Sequence, residues 1–349
     1  MALVDRRDAA PVLRVVPFSF AQAFGHAPAG VWTAPYAVRL AGVPGREGII
    51  VPVGANVVMA AAPRTDGILR IGSLDRPLES VEVPVHGTGH HVPGWAAPIV
   101  ETAHALARLG GPGPGADLLL HADLPDDTGL APSVPLSGAT ALAWTALHGP
   151  RLTALTLDAL LRNTVDPPHD TADGNALRSA ALCGGDGHAL LVGSAGPVGE
   201  QPCDLAAAEL RMMLIVPREQ PPARGAAASV AASLRGARDE VRRAGRMAAL
   251  LRDGRMAEAL ALVTATQRAR VPGYGGSWAD TDPVVAAACR AGAFGARAAG
   301  GGTAVAAFLP VAAAARVRTA VAAVFRGQGR PVPRFLTMVG GAVAGPAHA

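Results

Sequence analysis

Apolar and polar positions along this chain fall into two kinds of pattern: short alternating runs in the first half and long amphipathic stretches in the second. Residues 14–22 predict a short helix. Ala34 to Gly54, APYAVRLAGVPGREGIIVPVG, alternates apolar residues, turns through Gly42, Pro44 and Gly45, and runs into an apolar strand. It has the outline of a ligand-facing loop, yet its turn offers only Arg39, Arg46 and Glu47. Ile49 to Ala61 reads as a strand pair, and "ILRI" and "SVEVPV" read as further short strands. Ala97 to Leu109 has helical spacing and stops at Gly110-Gly111. "ADLLLHAD" is a strand, and "LPDDTGLAPSVPLSGATALAWTALHG" is a loop followed by a long apolar helix. Residues 193–201, rich in Gly, Ser and Pro, read as a passage toward a second unit.

Beyond it, Asp239 to Arg252 and Arg255 to Gln267 are amphipathic helices split by Asp253-Gly254, and Asp282 to Ala291 is another helix. A Gly-rich turn then enters the strand of "RAAGGGTAVAAFLP", followed by a helix over 311–325 and a last strand, "RFLTMV". Strand, helix and strand after a helical block indicate an α+β arrangement. Residues 217–236 are low in complexity and predict a poorly ordered or short helical piece.

Composition narrows the class. Half of the 349 residues are hydrophobic and only 4% are aromatic, so the core is built from Ala, Val and Leu. All 31 basic residues are arginine, scattered with short pairs such as Arg242-Arg243, and the net charge is only +4. No basic stripe interleaved with aromatics is present, which argues against nucleic-acid binding. Three cysteines, Cys183, Cys203 and Cys289, lack metal-ligand spacing and fit a reducing compartment. The N-terminal stretch has no long apolar region of the secretory type. The apolar run over 303–315 contains Pro310 and is too short to span a bilayer. The expectation is a cytoplasmic protein with no membrane partner.

Taken singly, the candidate chemistry has ordinary readings. Gly129, Leu130 and Ser133 lie at a helix start, where free N–H groups and the dipole favour phosphate. The same residues also read as a plain capped helix, with Ser133 as cap and Pro135 in the first turn. Gly300, Gly301 and Gly302 permit close backbone approach to a ligand, or simply a tight turn. His90-His91 has no apparent third ligand for a metal. His188 reads as the start of a strand, and Asp280 and Asp282 as caps of the helix near Pro283. No nucleophile elbow, Walker A loop, dinucleotide fingerprint or zinc signature occurs.

In order along the chain, however, four blocks resemble galactokinase, of the GHMP sugar and metabolite kinase superfamily. "FGHAPAGVWTAP" is similar to the lead into that family's first motif, APGRVNLIGEHTDYN. "LPDDTGLAPSVPLSGATALA" is similar to the second, PxGAGLSSSAALEVATALA. "DGNALRSAALCGGDGHALLV" resembles GIMDQxASLxGxxGHALLLD, and "GAFGARAAGGGTAVAAFLP" resembles the third motif, GARMTGGGFGGCVVALVP. The resemblance runs from about Phe18 to Val339. It implies an α+β, two-lobed GHMP kinase fold with a cleft between the lobes. The N-terminal mixed α/β lobe spans 12–205 and the C-terminal α+β lobe 206–349.

The resemblance also implies which positions did the chemistry. The arginine that stabilises the transferring phosphoryl group falls at Ala37, and the aspartate beside the sugar hydroxyl at Leu177, with its neighbouring glutamine at Arg178. The sugar-binding Glu, His and Asp fall near Val43, Pro44 and Arg46, and the sugar-contacting tyrosine region near Ala228. Leucine accepts no proton; losing a general base costs about 10²–10⁴ in rate. Losing a phosphoryl-stabilising arginine costs roughly 10³–10⁵. Gly129, Leu130 and Ser133 survive from the phosphate loop and Gly300 to Gly302 from the third motif. Against Mg·ATP stand Asp126 and Asp127 beside the expected phosphates, Pro132 without an N–H, and Ser137 where many relatives place a magnesium-holding glutamate.

Three functions follow from that pattern. The first is a non-catalytic galactokinase-like protein acting as sensor, regulator or partner subunit, with no catalytic residues and no metal. The second is a repurposed enzyme whose pocket, lined by Arg39, Arg46 and Arg178, takes an anionic ligand such as a sugar phosphate. The third is a weak sugar kinase with Glu47, Asp170 or Asp173 standing in.

Overall fold

A computed structural model describes residues 10–86, 92–110, 114–149, 152–165, 173–219, 230–269, 281–299, 304–342 and 344–347. The N-terminal part is a mixed sheet. Strands β1 (Gly30–Gly42) and β2 (Gly48–Arg64) form a long antiparallel hairpin. β3 (Ile68–Ser73), β4 (Ser80–Pro84) and β5 (Gly115–Ala122) extend it on the far side of β2, with β3 and β5 parallel. A second hairpin, β6 (His188–Gly193) and β7 (Gly196–Pro202), joins the near end of β2. Helices α1 (Pro11–Phe24), α3 (Ser133–His148), α4 (Ala154–Thr164) and α5 (Gly174–Cys183) pack against this sheet, and α2 (Ala97–Gly110) packs on α3.

The C-terminal part is an antiparallel sheet in the order β11-β8-β10-β9. Its strands are β8 (Leu210–Val216), β9 (Gly295–Ala299), β10 (Ala304–Pro310) and β11 (Arg334–Met338). Helices α6 (Val230–Arg252), α7 (Met256–Ala269), α8 (Thr281–Arg290) and α9 (Ala314–Gly327) accompany it. The end of the chain returns to the first sheet: β12 (Gly345–Pro346) pairs with β1, and Val53 bridges to Gly340. One buried cluster runs from β1 and β2 through α3 into α6, α7 and β8, so the two sheets share a core.

The structure corrects the sequence reading at four places. Ile49 to Ala61 is one strand, not two. It reads as a pair because β2 changes neighbours, meeting β6 at Gly48–Ile50 and β5 from Val57 onward. Ala34 to Gly42 is strand rather than loop, buried without a break because helices α3, α5, α6 and α7 all pack on β1; a strand covered on both faces carries no polar alternation. Residues 193–201 form the tip and second strand of the β6–β7 hairpin, with Gly196 at φ 136° where only glycine is at ease. The helix expected at 311–325 begins as a 3-10 turn over Val311–Ala313 before α9. His188 does open a strand, β6.

Candidate active-site region

β1 and α5 bring the implied catalytic positions together. Ala37, on β1, and Leu177, in the first turns of α5, belong to one buried cluster with Ile50, Val134, Ala176 and Leu190. Each is nearly inaccessible, at 7% and 8%. The apolar side chains fill the space between strand and helix where a polar pair would have to stand.

Two residues along the same face of β1, Arg39 reaches the head of α5. Its Nε and Nη2 donate to the two carboxylate oxygens of Asp173, the second at 2.5 Å, in a buried two-pronged pair. Asp173 is the N-cap residue of α5, yet its side chain makes no capping bond. The opposing strand leaves room for the guanidinium at Gly48, where a Cβ would lie 1.5 Å from Arg39 Nη1. From the second sheet, Arg297 of β9 donates to the carbonyls of Arg39 and Leu40 at 3.1 and 3.4 Å. Arg46 is elsewhere, exposed in the β1–β2 turn with Glu47.

Arg178 lies one turn beyond Asp173, on the other side of the region. It is fully buried and lines a cavity of about 530 Å³ together with Trp95, Thr102, Ser133, Leu136 and Ser137. A neighbouring cavity of about 740 Å³ shares Arg76, Trp95, Asp126, Pro132 and Leu136 with it. Arg39 and Arg46 border neither. The three arginines expected to line one pocket are therefore distributed over an ion pair, a surface turn and a cavity wall.

Between the cavities runs the loop into α3. A 3-10 turn, Asp126–Thr128, ends at Gly129 with φ 75°, a conformation that a side chain would strain. Leu130 is buried beneath it, and Ser133 is the first residue of α3, with Pro132 at the cap position expected for Ser133. Asp126 is paired with Arg76 and Asp127 with Arg334, so the two charges expected to repel a phosphate are largely neutralised. Gly300, Gly301, Gly302, His90, His91, Asp170, Ala228 and Asp280 lie outside the described residues.

Magnesium fits this arrangement poorly. Ser137 directs its hydroxyl to the Val134 carbonyl, Asp126 and Asp127 are held by arginines, and a buried guanidinium, Arg178, borders the same space. Among the described residues no group of three or more His, Cys, Asp or Glu side chains is placed to hold a metal ion. Likewise among them, no helix is long and apolar enough to cross a membrane.

No protein-family profile matches the chain. Among solved structures, the galactokinase of Lactococcus lactis in complex with galactose superposes with a TM-score of 0.76 at 16% identity, covering 95% of this chain and 99% of that one. A homoserine kinase from Cytophaga hutchinsonii (TM-score 0.62, 18% identity, 91% and 96% covered) has the same architecture. So does the mevalonate kinase of Methanococcus jannaschii (0.59, 13%, 89% and 98%). The fold is that of the GHMP kinases. In sequence, the galactokinase of Streptomyces coelicolor is 31% identical over 205 residues, which are 56% of this chain and 52% of the relative. That match spans about half the length of this curated relative.

Sequence reasoning nominated Asp173 only as one of three stand-in carboxylates, with Glu47 and Asp170, and did not connect it with Arg39. Arg76, Arg334, Gly48 and Arg297 were not singled out at all. No local motif marks them, because each acts through a partner far away in sequence.

Proposed function

We propose that this protein binds rather than phosphorylates: a galactokinase-like pseudokinase that serves as a sugar or metabolite sensor, a regulator, or a partner subunit of another protein. The observation that carries the reading is the apolar cluster containing Ala37 and Leu177. Phosphoryl transfer to a sugar hydroxyl needs a group to orient or accept the proton and positive charge beside the transferring phosphate. Neither exists at those positions. The cytoplasmic placement expected from the sequence is kept as part of this proposal, and the three free cysteines support it.

A sugar-kinase reading would have to run through Asp173. Both of its oxygens accept bonds from Arg39, and its side chain is 9% exposed. A sugar hydroxyl could reach that carboxylate only by displacing the guanidinium that engages both of its oxygens. Mg·ATP binding at Gly129 to Ser133 is not required by the proposal.

The test is release of ADP from Mg·ATP by the purified protein across a panel of monosaccharides including galactose, with an active galactokinase alongside. The expected result is no sugar-dependent ADP release. Saturable dependence on any one sugar would overturn the reading.

A further inference from the structure

We propose that the solvent face of α6 is a docking surface for an acidic segment of a partner protein, bound as a helix along Arg238, Arg242, Arg246 and Arg252. The inference rests on the partner-subunit form of the reading above and names the chemistry by which that partner is recognised.

The argument starts from where the chain keeps its charge. α6 carries six arginines against Asp239 and Glu240, a net charge of +4. The whole chain has a formal net charge of +4, so its remaining acidic and basic residues balance. Charge gathered on one element sets up a local field that draws in oppositely charged partners. Glu240 takes no part in that surface: it is fully buried, with Arg243 as its counter-charge. Arg238, Arg242, Arg246 and Arg252 are exposed.

Helical geometry makes a stripe of these four. They fall within an arc of about 120°, opposite the buried Ala244, Met247 and Leu251, and span about 21 Å along the axis. The acidic groups beside them are Asp239, engaged by Arg242, and Asp253 in the turn before α7. Glu258 of α7 is held by Arg255, with a weaker attraction from Arg246. Gly245 and Ala249 lie in the middle of the stripe, one turn apart. A Cβ at Gly245 would meet nothing within 4 Å, so packing inside the protein does not call for a residue that weakens a helix. The bare backbone there lets a second helix come close. Carboxylates at i and i+4 of that helix would then meet the flanking guanidiniums.

The same charges reject two other occupants. Antiparallel pairing of two copies about Gly245 would set Arg238 of each against Arg252 of the other, cation against cation. A nucleic-acid backbone would meet Asp239 and Asp253 along the stripe, and α6 has no aromatic side chain on which a base could stack.

The experiment is fluorescence anisotropy with a labelled helical peptide of alanine and glutamine, about five turns long, bearing glutamate at every fourth position. A second peptide has the same composition with its glutamates spread round the helix. The expected result is saturable, salt-sensitive binding of the first peptide, weakened tenfold or more in Arg242→Glu/Arg246→Glu. Arg316→Glu/Arg326→Glu makes the same charge change on exposed positions of α9 and should bind as the natural protein does. Gly245→Gln should melt at or above the natural temperature yet bind several-fold more weakly, since it fills the line of approach without touching a charge. The proposal is overturned if the first peptide fails to bind at millimolar concentration, if both double variants lose affinity equally, or if the two peptides bind alike. It is equally overturned if Gly245→Gln binds as well as the natural protein, or if a DNA duplex of matched charge competes more strongly at the same arginines. Sugar-dependent ADP release is read in a different assay and bears on the non-catalytic reading, not on this surface.

Discussion

Arg39 on β1 and Asp173 at the head of α5 form a buried ion pair two residues along the strand from Ala37 and about one helical turn from Leu177. A charge pair and an apolar pair thus lie side by side across one strand–helix interface. The apolar pair occupies the positions at which the resemblance to galactokinases implies the chemistry.

Breaking that pair from one side leaves a buried charge. Asp173→Asn is expected to destabilise the protein by about 3–5 kcal/mol in denaturant unfolding. The double variant Arg39→Met/Asp173→Leu removes both charges and should recover most of that loss. A double variant no more stable than Asp173→Asn would show that the pair is not what holds β1 to α5.

Gly48 makes room for the pair. An alanine there would place Cβ 1.5 Å from Arg39 Nη1 and 2.7 Å from the Ala41 carbonyl. Gly48→Ala should lower the melting temperature, and lower it less in an Arg39→Met background, where only the backbone contact remains. Equal losses in the two backgrounds would remove the guanidinium from the explanation.

Placing at position 177 the aspartate that the galactokinase resemblance implies there should cost stability in a pH-dependent way. Leu177→Asp sets a carboxyl among Ala37, Ile50 and Val134, where burial raises its pKa. The folded state then holds the proton more tightly than the unfolded state, so the variant's stability relative to the natural protein should fall as pH rises from 5 to 8. Chemical denaturation at the two pH values reads this directly.

Asp117 has the opposite sign. Burial would raise its pKa, but hydrogen bonds from Arg70 and His26 and the charge of Arg64 together hold it below the usual carboxylate value. A depressed carboxylate stabilises the fold above its ordinary pKa, and the contribution is lost as pH falls through the folded value. Melting temperature should therefore drop below about pH 4, and Asp117→Asn should flatten that acid limb while lowering stability at pH 7.

Much of this architecture was legible in the sequence, and the reasons differ by element. α2, α6 and α7 carry a helical stripe, and the αL glycine at 254 separates the last two as expected. The four motif blocks located Ala37, Leu177 and the Gly129–Ser133 loop because each is contiguous. β1 reads in the sequence as a ligand-facing loop because a strand packed on both faces shows no polar face to mark it as a strand. The Arg39–Asp173 pair escaped because its members are 134 residues apart. The three candidate arginines shared a motif neighbourhood but not a place in space: only the structure separates Arg39 in an ion pair from Arg46 in solvent and Arg178 on a cavity wall.

The central claim is that no phosphate passes to a sugar at the Ala37–Leu177 interface. The most direct measurement is a single-turnover experiment with protein in excess over γ-labelled Mg·ATP, saturating galactose, and product separated over hours. The account predicts no labelled sugar phosphate above the protein-free control. Galactose-dependent transfer of label, abolished by Asp173→Asn in a variant shown to be folded, would contradict it and assign the chemistry to the relocated carboxylate.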